Sequence, residues 1–537
     1  MRTSLIALAA LALALACGRA QVRGLAGTDG GSDADAGADA GADAGGDGGA
    51  DAGSDGGPDA GVTYSVARVA LHVHSAISHD ACDHHGADGG PLASLDQDCL
   101  DQLEAALCDS RIDVAFLTDH PRFMDSKPLP DDLLLRGRGE TAITDGAGTV
   151  TGMRLPCGTQ VAAGWEGTHT MPLGLVRLPS DDNAYGTHVD VNTSLADEQA
   201  MVAAVHDAGG IVWTAHSEEP DIAASNLSAL GTDGMEWYNV HGNFIALLGG
   251  QGDLVGGNFD LGSIGALFDA LKGLEPFLQG GSGAADLAYL PLLQAHFPEV
   301  GLQKWHEVLG ARRISAALGN DVHRNVSVKP LCKGALAMAA CRAVAAAYPN
   351  LLTSLATGGQ LMLSDGERLD SYARVLRWLN NRALVKSPGI DGAREAMAHG
   401  RAYGVFAVFG EPGPVAFQAR AASGELLEMG DEGDANGATL LVRLPDPPAP
   451  ELGPQWTAAD AARAQVHTLL WRTTVAGPQL AAEWRQNSTR VEFAAPGPGL
   501  YSVEMRIVPR HLDGLGASAF LAAAEYRWVL MNAIELR

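Results

Sequence analysis

Alternation marks where the structured part of the chain begins. In "YSVARVALHVH" (64–74), apolar and often β-branched residues take every second place. That is the period of a strand with one buried face. "LDQDCLDQLEAALCDS" (95–110) then carries apolar residues at helical spacing. "DVAFLTDH" (113–120) is a short apolar run of the kind a buried parallel strand shows. A helical stretch over 195–208 leads into the strand-like "GGIVWTAHSEEP" (209–220). "GMEWYNV" (234–240) reads as a further short strand, 263–313 as mostly helical, and "ISAALGNDVH" (314–323) as a strand breaking into polar residues. Strands alternating with helices predict an α/β fold. Each polar cluster falls where a strand ends, which is where an α/β barrel builds its site.

The texture changes near 415. "ATLLVRL", "VHTLLWRTT", "TRVEFAA", "GLYSVEMRIV" and "EYRWVLMNAIELR" are short strands between Gly/Pro-rich turns. They predict a small all-β sandwich over 415–537. At the other end, residues 24–61 are nearly all Asp, Ala, Gly and Ser. Nine aspartates lie there with no Lys or Arg, so the stretch has nothing to bury and reads as a solvated tether. The expected layout is a signal segment over 1–17, a disordered linker over 18–62, an α/β domain over 63–414 and the β domain.

The first residues add a location. Met1-Arg2 precede the apolar run Leu5–Ala16, too short to span a bilayer and suited to a signal peptide. Ala14-Leu15-Ala16-Cys17 resembles a bacterial lipobox, which implies lipid attachment at Cys17 and an exported cell-envelope protein, in the periplasm or at the outer membrane. Apart from that anchor, no membrane contact is expected. Six further cysteines permit disulfides in an exported chain, with the pairing left open. No CxxC pair is present, so a thiolate zinc site is not indicated. The formal net charge of −28 argues against a nucleic-acid partner.

Of 17 histidines, only His399, His467 and His511 lie beyond His323, so the chemistry is upstream. On a strand, residues i and i+2 share a face, so His72 and His74 can reach one ion. Other strand ends carry ligand types too: Asp119-His120, Glu166, His216, and Asp321 with His323. Nitrogen and carboxylate donors without thiolate suit Zn, Mn or Fe(II). So many donors exceed the needs of one tetrahedral ion and imply a multinuclear site.

These residues resemble the polymerase and histidinol phosphatase (PHP) metallohydrolases. "HVHSAISHD" is similar to their opening HxH motif, Thr118-Asp119-His120 to TDH, and Gly164-Trp165-Glu166 to Gly-x-Glu. Ala215-His216-Ser217 stands where the family has AHP, with Ser replacing Pro. Asn320-Asp321-Val322-His323 after Gly319 is similar to GxDxH. "HTMPLGL", "DGMEWYNVHG", "AHGRAYGVF" and "YRWVLMNAIEL" resemble elements of the carbaryl-hydrolase-like (CehA/McbA-type) branch. The resemblance implies a distorted TIM-like (β/α)7 barrel followed by a β domain, and three divalent ions per chain. His72, His74, Glu166 and Asp321 would hold one ion. Glu166 would bridge to a second on His169 and His216. A third would take His120, His323 and either His79 or Asp80, with His79 favoured. Asp119 is expected to orient a ligand imidazole. Arg122 and Arg324 are candidates to grip an anionic substrate group, with Lys329 behind them. His241 is a candidate pocket residue. His84, His85, His188, His206, His296 and His306 are expected to lie outside the site.

The reading is an exported metal-dependent hydrolase in which a bridging hydroxide cleaves a small-molecule phosphoester. A carboxyl ester, carbamate or amide is the alternative bond. A non-catalytic, metal-stabilised surface binding protein is the rival role.

Overall fold

The protein is described from a computed structural model. It describes residues 63–78, 80–84, 96–120, 139–144, 150–162, 164–166, 170–173, 195–207, 209–218, 222–243, 271–295, 299–328 and 346–537, the last without 453 and 517, with a few isolated residues besides. The described residues belong to one compact unit. Cys17, the linker, His79, Arg122, His169, Lys329, Cys332 and Cys341 lie outside the described residues.

The alternating stretch forms β1 (Ser65–Val73), followed by helix α1 (Gln97–Asp109), which Asp96 caps by accepting from Cys99 N. Then come β2 (Val114–Leu117), β3 (Thr141–Thr144), β4 (Val150–Arg154), β5 (Gln160–Ala162) and β6 (Thr170–Leu173). Helix α2 (Leu195–Asp207) precedes β7 (Ile211–Thr214), α3 (Ala224–Leu230) precedes β8 (Gly234–Asn239), and α4 (Glu299–Leu309) precedes β9 (Ser315–Gly319). Of the expected helical stretch before α4, the described residues form 3-10 turns at Lys272–Phe277 and Ala285–Ala288, with Pro276 inside the first, and then a short α-helix over Tyr289–Ala295. Proline supplies no N–H and breaks a continuing α-helix.

β2 pairs parallel to both β1 and β5, and β9 and β7 pair parallel to β8. The end of β9 meets the end of β1: Asn320 N–H donates to Leu71 O (3.0 Å) and His74 N–H to Val322 O (3.2 Å). The spatial order is therefore β5-β2-β1-β9-β8-β7-β6, with only β6 antiparallel to its neighbour. Alternate residues of six of these strands close on one small core that includes Leu71, Phe116, Ala162, Met171, Trp213 and Ala317. Gly234 on β8 leaves room for the Trp213 ring, which a Cβ would meet at 2.2 Å. A later helix, Ile390–His399, packs Ile390, Ala393, Ala396 and Met397 into this core and bonds to Gln160 and Ser315 at the starts of β5 and β9, so the C-terminal strand ends remain for chemistry.

After β9 come the short strands β10 (Ser327–Val328) and β11 (Gly359–Gln360), then α5 (Tyr372–Trp378) and β12 (Leu379–Val385). Helix α6 (Ile390–His399) precedes β13 (Ala402–Phe406). The strands β14 (Ala416–Arg420), β15 (Leu426–Glu428), β17 (Thr439–Arg443) and β20 (Arg490–Ala494) form a separate four-stranded antiparallel sheet. β18 (Gln465–Thr474), β19 (Gly477–Trp484), β21 (Gly499–Val508) and β22 (Tyr526–Leu536) do not stand apart from the first region. They continue its sheet in the order β19-β18-β21-β22-β13-β12-β1, with the two-residue β16 (Glu432–Gly433) beside β22. β22 is buried along nearly its whole length and covers the edge that β13 would otherwise expose.

Candidate metal centre

The polar strand ends meet. His72 is the last residue but one of β1 and His74 lies just after the strand, His120 follows β2, Glu166 follows β5, His216 follows β7, His241 follows β8, and Asp321 and His323 follow β9. The β1 end is not a plain alternating strand. Its pairing with β2 slips between Ala70 and Val73, and His72 has φ 64°. His216 (φ 48°) and Asp321 (φ 45°) share this left-handed backbone. Non-glycine residues adopt it at a cost and need surrounding bonds to hold them there. Asp321 N–H donates to His72 O (2.6 Å), and His216 N–H donates to Glu236 Oε2 (2.8 Å).

The first donor set is His72, His74, Glu166 and Asp321, all buried. The two histidine Nε2 atoms are 3.1 Å apart. Glu166 Oε2 lies 3.0 Å from each, and Asp321 Oδ1 lies 3.1 and 3.4 Å from them. Four ligands ~2.05 Å from a tetrahedral ion stand ~3.3 Å from one another. The five edges above, 3.0–3.4 Å, are of that size. The remaining carboxylate oxygens turn the other way: Glu166 Oε1 is 2.9 Å and Asp321 Oδ2 3.7 Å from His216 Nε2, and Asp321 Oδ2 is 3.6 Å from His241 Nδ1. Both carboxylates thus face two groups of imidazoles, the arrangement of bridging ligands.

A second set comprises His74, Asp80, His120 and His323. Asp80 Oδ2 lies 3.4 Å from His120 Nε2 and 3.2 Å from His323 Nε2. An imidazole nitrogen binds one ion, and the Nδ1 of His74 is already bonded to Ser78 Oγ (3.1 Å). With His74 assigned to the first set, the second keeps three ligands and open positions. His120 and Asp80 are partly exposed, so this side faces solvent. A third grouping, His241 with Asp321 and His323, lies beside both.

The donors fit a cation better than they fit each other. Asp321 Oδ1 and Oδ2 and His323 Nε2 are buried and make no hydrogen bond of normal geometry among the described residues. Burial alone would raise the Glu166 and Asp321 carboxyls, yet His72 and its neighbouring imidazoles hold both well below the usual range. Burial opposes charge on His72, but Asp321, Glu166 and Glu236 raise it well above an ordinary histidine. His74 goes the other way: burial, then His323 beside it, push it down to about 4. Protons held among imidazoles and carboxylates at this spacing occupy places that a divalent ion takes on binding.

Asp119 differs from expectation. It is buried, and the bonds it makes among the described residues are to Ser75 N (2.6 Å) and Ser75 Oγ (2.9 Å). The turn after His74 needs an acceptor for its N–H, and Asp119 supplies it. Burial raises its carboxyl to about 6. Arg324 (φ 54°) lines a small, open cavity with His241, Asp321, His323 and Asp370, and among the described residues its Nε makes no hydrogen bond. His206 pairs with Asp233, and His306 lies between α4 and β18; neither reaches the centre.

Glu236 was not singled out by sequence. Its Oε1 lies 2.7 Å from His72 Nδ1. The signal was available: a lone acid in "GMEWYN", a strand whose six residues are all buried, demands a partner.

No family model matches the chain, and no curated protein matches it. Among solved structures, the chain is similar to a two-domain protein from Bacteroides vulgatus described as containing a predicted PHP-like metal-dependent phosphoesterase. That likeness has 11% identity and a TM-score of 0.29 over 87% of this chain and 96% of that one. A TM-score that low carries no argument, so the functional reading rests on donor geometry.

Proposed function

We propose that the protein is a metal-dependent hydrolase of the PHP type that cleaves small phosphoesters at a multinuclear centre, with three ions as the full complement. The observation that carries this is the pair of carboxylates, Glu166 and Asp321, each presenting one oxygen to His72/His74 and the other towards His216. Divalent ions, when bound, lower the pKa of water and neutralise charge developing on a reacting oxygen. Glu166 and Asp321 would hold two ions close enough to share a substrate oxygen. Asp80, His120 and His323 would hold another with room for the substrate on its solvent side. Arg324 would grip the anionic end of the phosphoester from the adjoining cavity. The strand arc around one core, with the site at C-terminal strand ends, supports a distorted barrel. The disulfides Cys82–Cys99 and Cys108–Cys157 support an exported chain, with Cys17 as the lipid anchor.

The test is hydrolysis of nitrophenyl phosphate mono- and diesters, against nitrophenyl carboxyl esters, by protein loaded with Zn, Mn or Fe(II). Phosphoester turnover is expected. His72→Ala/His74→Ala should lower it by about 10²–10³-fold or more, the scale of losing one electrostatic stabiliser. Turnover that survives the double change, or loaded protein inert to every class, would sink the reading.

A further inference from the structure

Glu236 belongs to none of the grouped donor sets, yet it touches two histidines of the centre. It is fully buried on β8, and its two oxygens do different work. Oε1 faces His72 Nδ1 at 2.7 Å. Oε2 accepts the His216 N–H (2.8 Å) and the Asn239 Nδ2–H (3.0 Å). Asn239 is itself held, since its Oδ1 accepts the Gly242 N–H (2.8 Å). One side chain therefore touches two ligand residues that come from different strands.

The chemistry follows from what a carboxylate can do. It only accepts, so His72 must present Nδ1–H to it, which leaves the Nε2 lone pair for the cluster of Glu166 and Asp321. A buried negative charge behind an imidazole also makes its far nitrogen a better donor to a cation. Among the described residues, the other histidine of the pair has no such carboxylate behind it. His74 Nδ1 rests on the neutral Ser78 hydroxyl, which donates onward to Asp80 Oδ1 (2.8 Å). His72 and His74 are thus unequal ligands although they sit two residues apart.

The fold makes room for this contact. To reach His72 on β1, the Glu236 side chain crosses β9, which lies between the two strands. The residue it crosses is Gly319, where a Cβ would stand 2.0 Å from Glu236 Oε1. Its Ser217 neighbour also donates a hydroxyl to the Glu236 carbonyl, which ties the β7 turn to β8 at the same point.

We propose that Glu236 is a positioning residue of the metal centre. It locks the tautomer and angle of His72, anchors the left-handed turn at His216, and so sets the affinity of the divalent ion held by His72, His74, Glu166 and Asp321. Gly319 is glycine because this carboxylate passes over it. The inference rests on the metal-centre reading above.

The test is Co(II) binding, followed by its visible spectrum and by competition with a chromophoric chelator. Glu236→Gln keeps the shape and removes the charge. It should weaken the tightest ion by about 10–100-fold and shift its spectrum, while the metal-free variant unfolds in urea near the wild-type midpoint. Glu236→Asp, which keeps the charge but withdraws it from His72, should resemble Glu236→Gln. A folded Glu236→Gln variant with wild-type affinity and spectrum overturns the proposal. A readout free of variants is the ¹⁵N spectrum of histidine-labelled, Zn-loaded protein. It should show His72 protonated at Nδ1; metal at Nδ1 or a proton on Nε2 overturns the proposal even if the variants fail to fold. Wild-type protein that binds no Co(II) sinks this inference together with the metal centre, whereas wild-type loading matched by Glu236→Gln sinks this inference alone.

Discussion

Three residues of the centre, His72, His216 and Asp321, hold a left-handed backbone that costs about 1–3 kcal/mol each for a non-glycine residue. Their side chains converge because that backbone turns them, and hydrogen bonds to His72 O and Glu236 Oε2 keep it in place. Asp321 carries the most at this scale: its oxygens lie within 3.1–3.7 Å of nitrogens on His72, His74, His216, His241 and His323. Asp321→Asn removes the charge and keeps the size. Titration with Zn(II) should show at least one ion fewer, or an affinity lower by about 10-fold or more; full stoichiometry at wild-type affinity would mean that Asp321 bridges nothing. Of the expected ligands, His72, His74, Asp80, His120, Glu166, His216, Asp321 and His323 lie together, legible because imidazoles and acids cluster where apolar runs stop; His79 and His169 lie outside the described residues. The roles of Asp119 and Glu236 were not legible, since a carboxylate's partner depends on neighbouring strands. The pattern placed Asp119 beside a ligand histidine in sequence, but the turn at Ser75 claims it. Glu236 lies 164 positions from His72, a separation that no local spacing encodes.

Among the elements, strands with one apolar period were readable and edge pieces were not. β1, β2, β7, β9, β18, β21 and β22 fall where alternation or apolar runs put them. β19 was missed because none of its residues is buried, leaving no buried face to impose a period. Even β1 hides a detail: alternation put His72 and His74 on one face, yet a slipped pairing and a left-handed residue bring their nitrogens together. Junctions between elements use buried neutral histidines. His306 on α4 shares a hydrogen bond with Thr473 on β18 (2.8 Å), and His511 Nε2–H donates to Phe409 O (3.0 Å). Burial pushes both imidazoles down to about 4. Unfolded histidine titrates near ~6.5, so on acidification the unfolded chain takes up these protons first. The stability tied to their neutral form is whole above pH ~6.5 and is lost as pH falls towards ~4. Urea midpoints of the metal-free protein should drop through this window, and His306→Gln should flatten the drop. An equal drop in the variant would remove His306 as its source.

For the whole described unit, one mixed sheet runs from β19 to β3 through β1, so the strand that carries His72 is flanked by both halves of the chain. Composition could mark the change of texture near 415 but not that β22 pairs with β13, because pairing across more than a hundred residues leaves no local trace. Cysteine count permitted disulfides without naming them. Cys82–Cys99 and Cys108–Cys157 fasten α1 near both its ends, the first to the turn that carries Asp80. Cys82→Ser/Cys99→Ser should cost about 2–4 kcal/mol in urea unfolding and weaken the ion at Asp80, His120 and His323 more than the ion at His72 and His74. Equal loss at both would show that the turn does not act locally. The central claim is that these side chains are one metal centre. Anomalous diffraction from crystals soaked in Zn(II) tests it most directly. The account expects a peak ~2.0–2.1 Å from both His72 Nε2 and His74 Nε2, with further peaks between Glu166 and His216 and among Asp80, His120 and His323. Saturating zinc with no peak among these residues, or peaks only elsewhere on the chain, would contradict it.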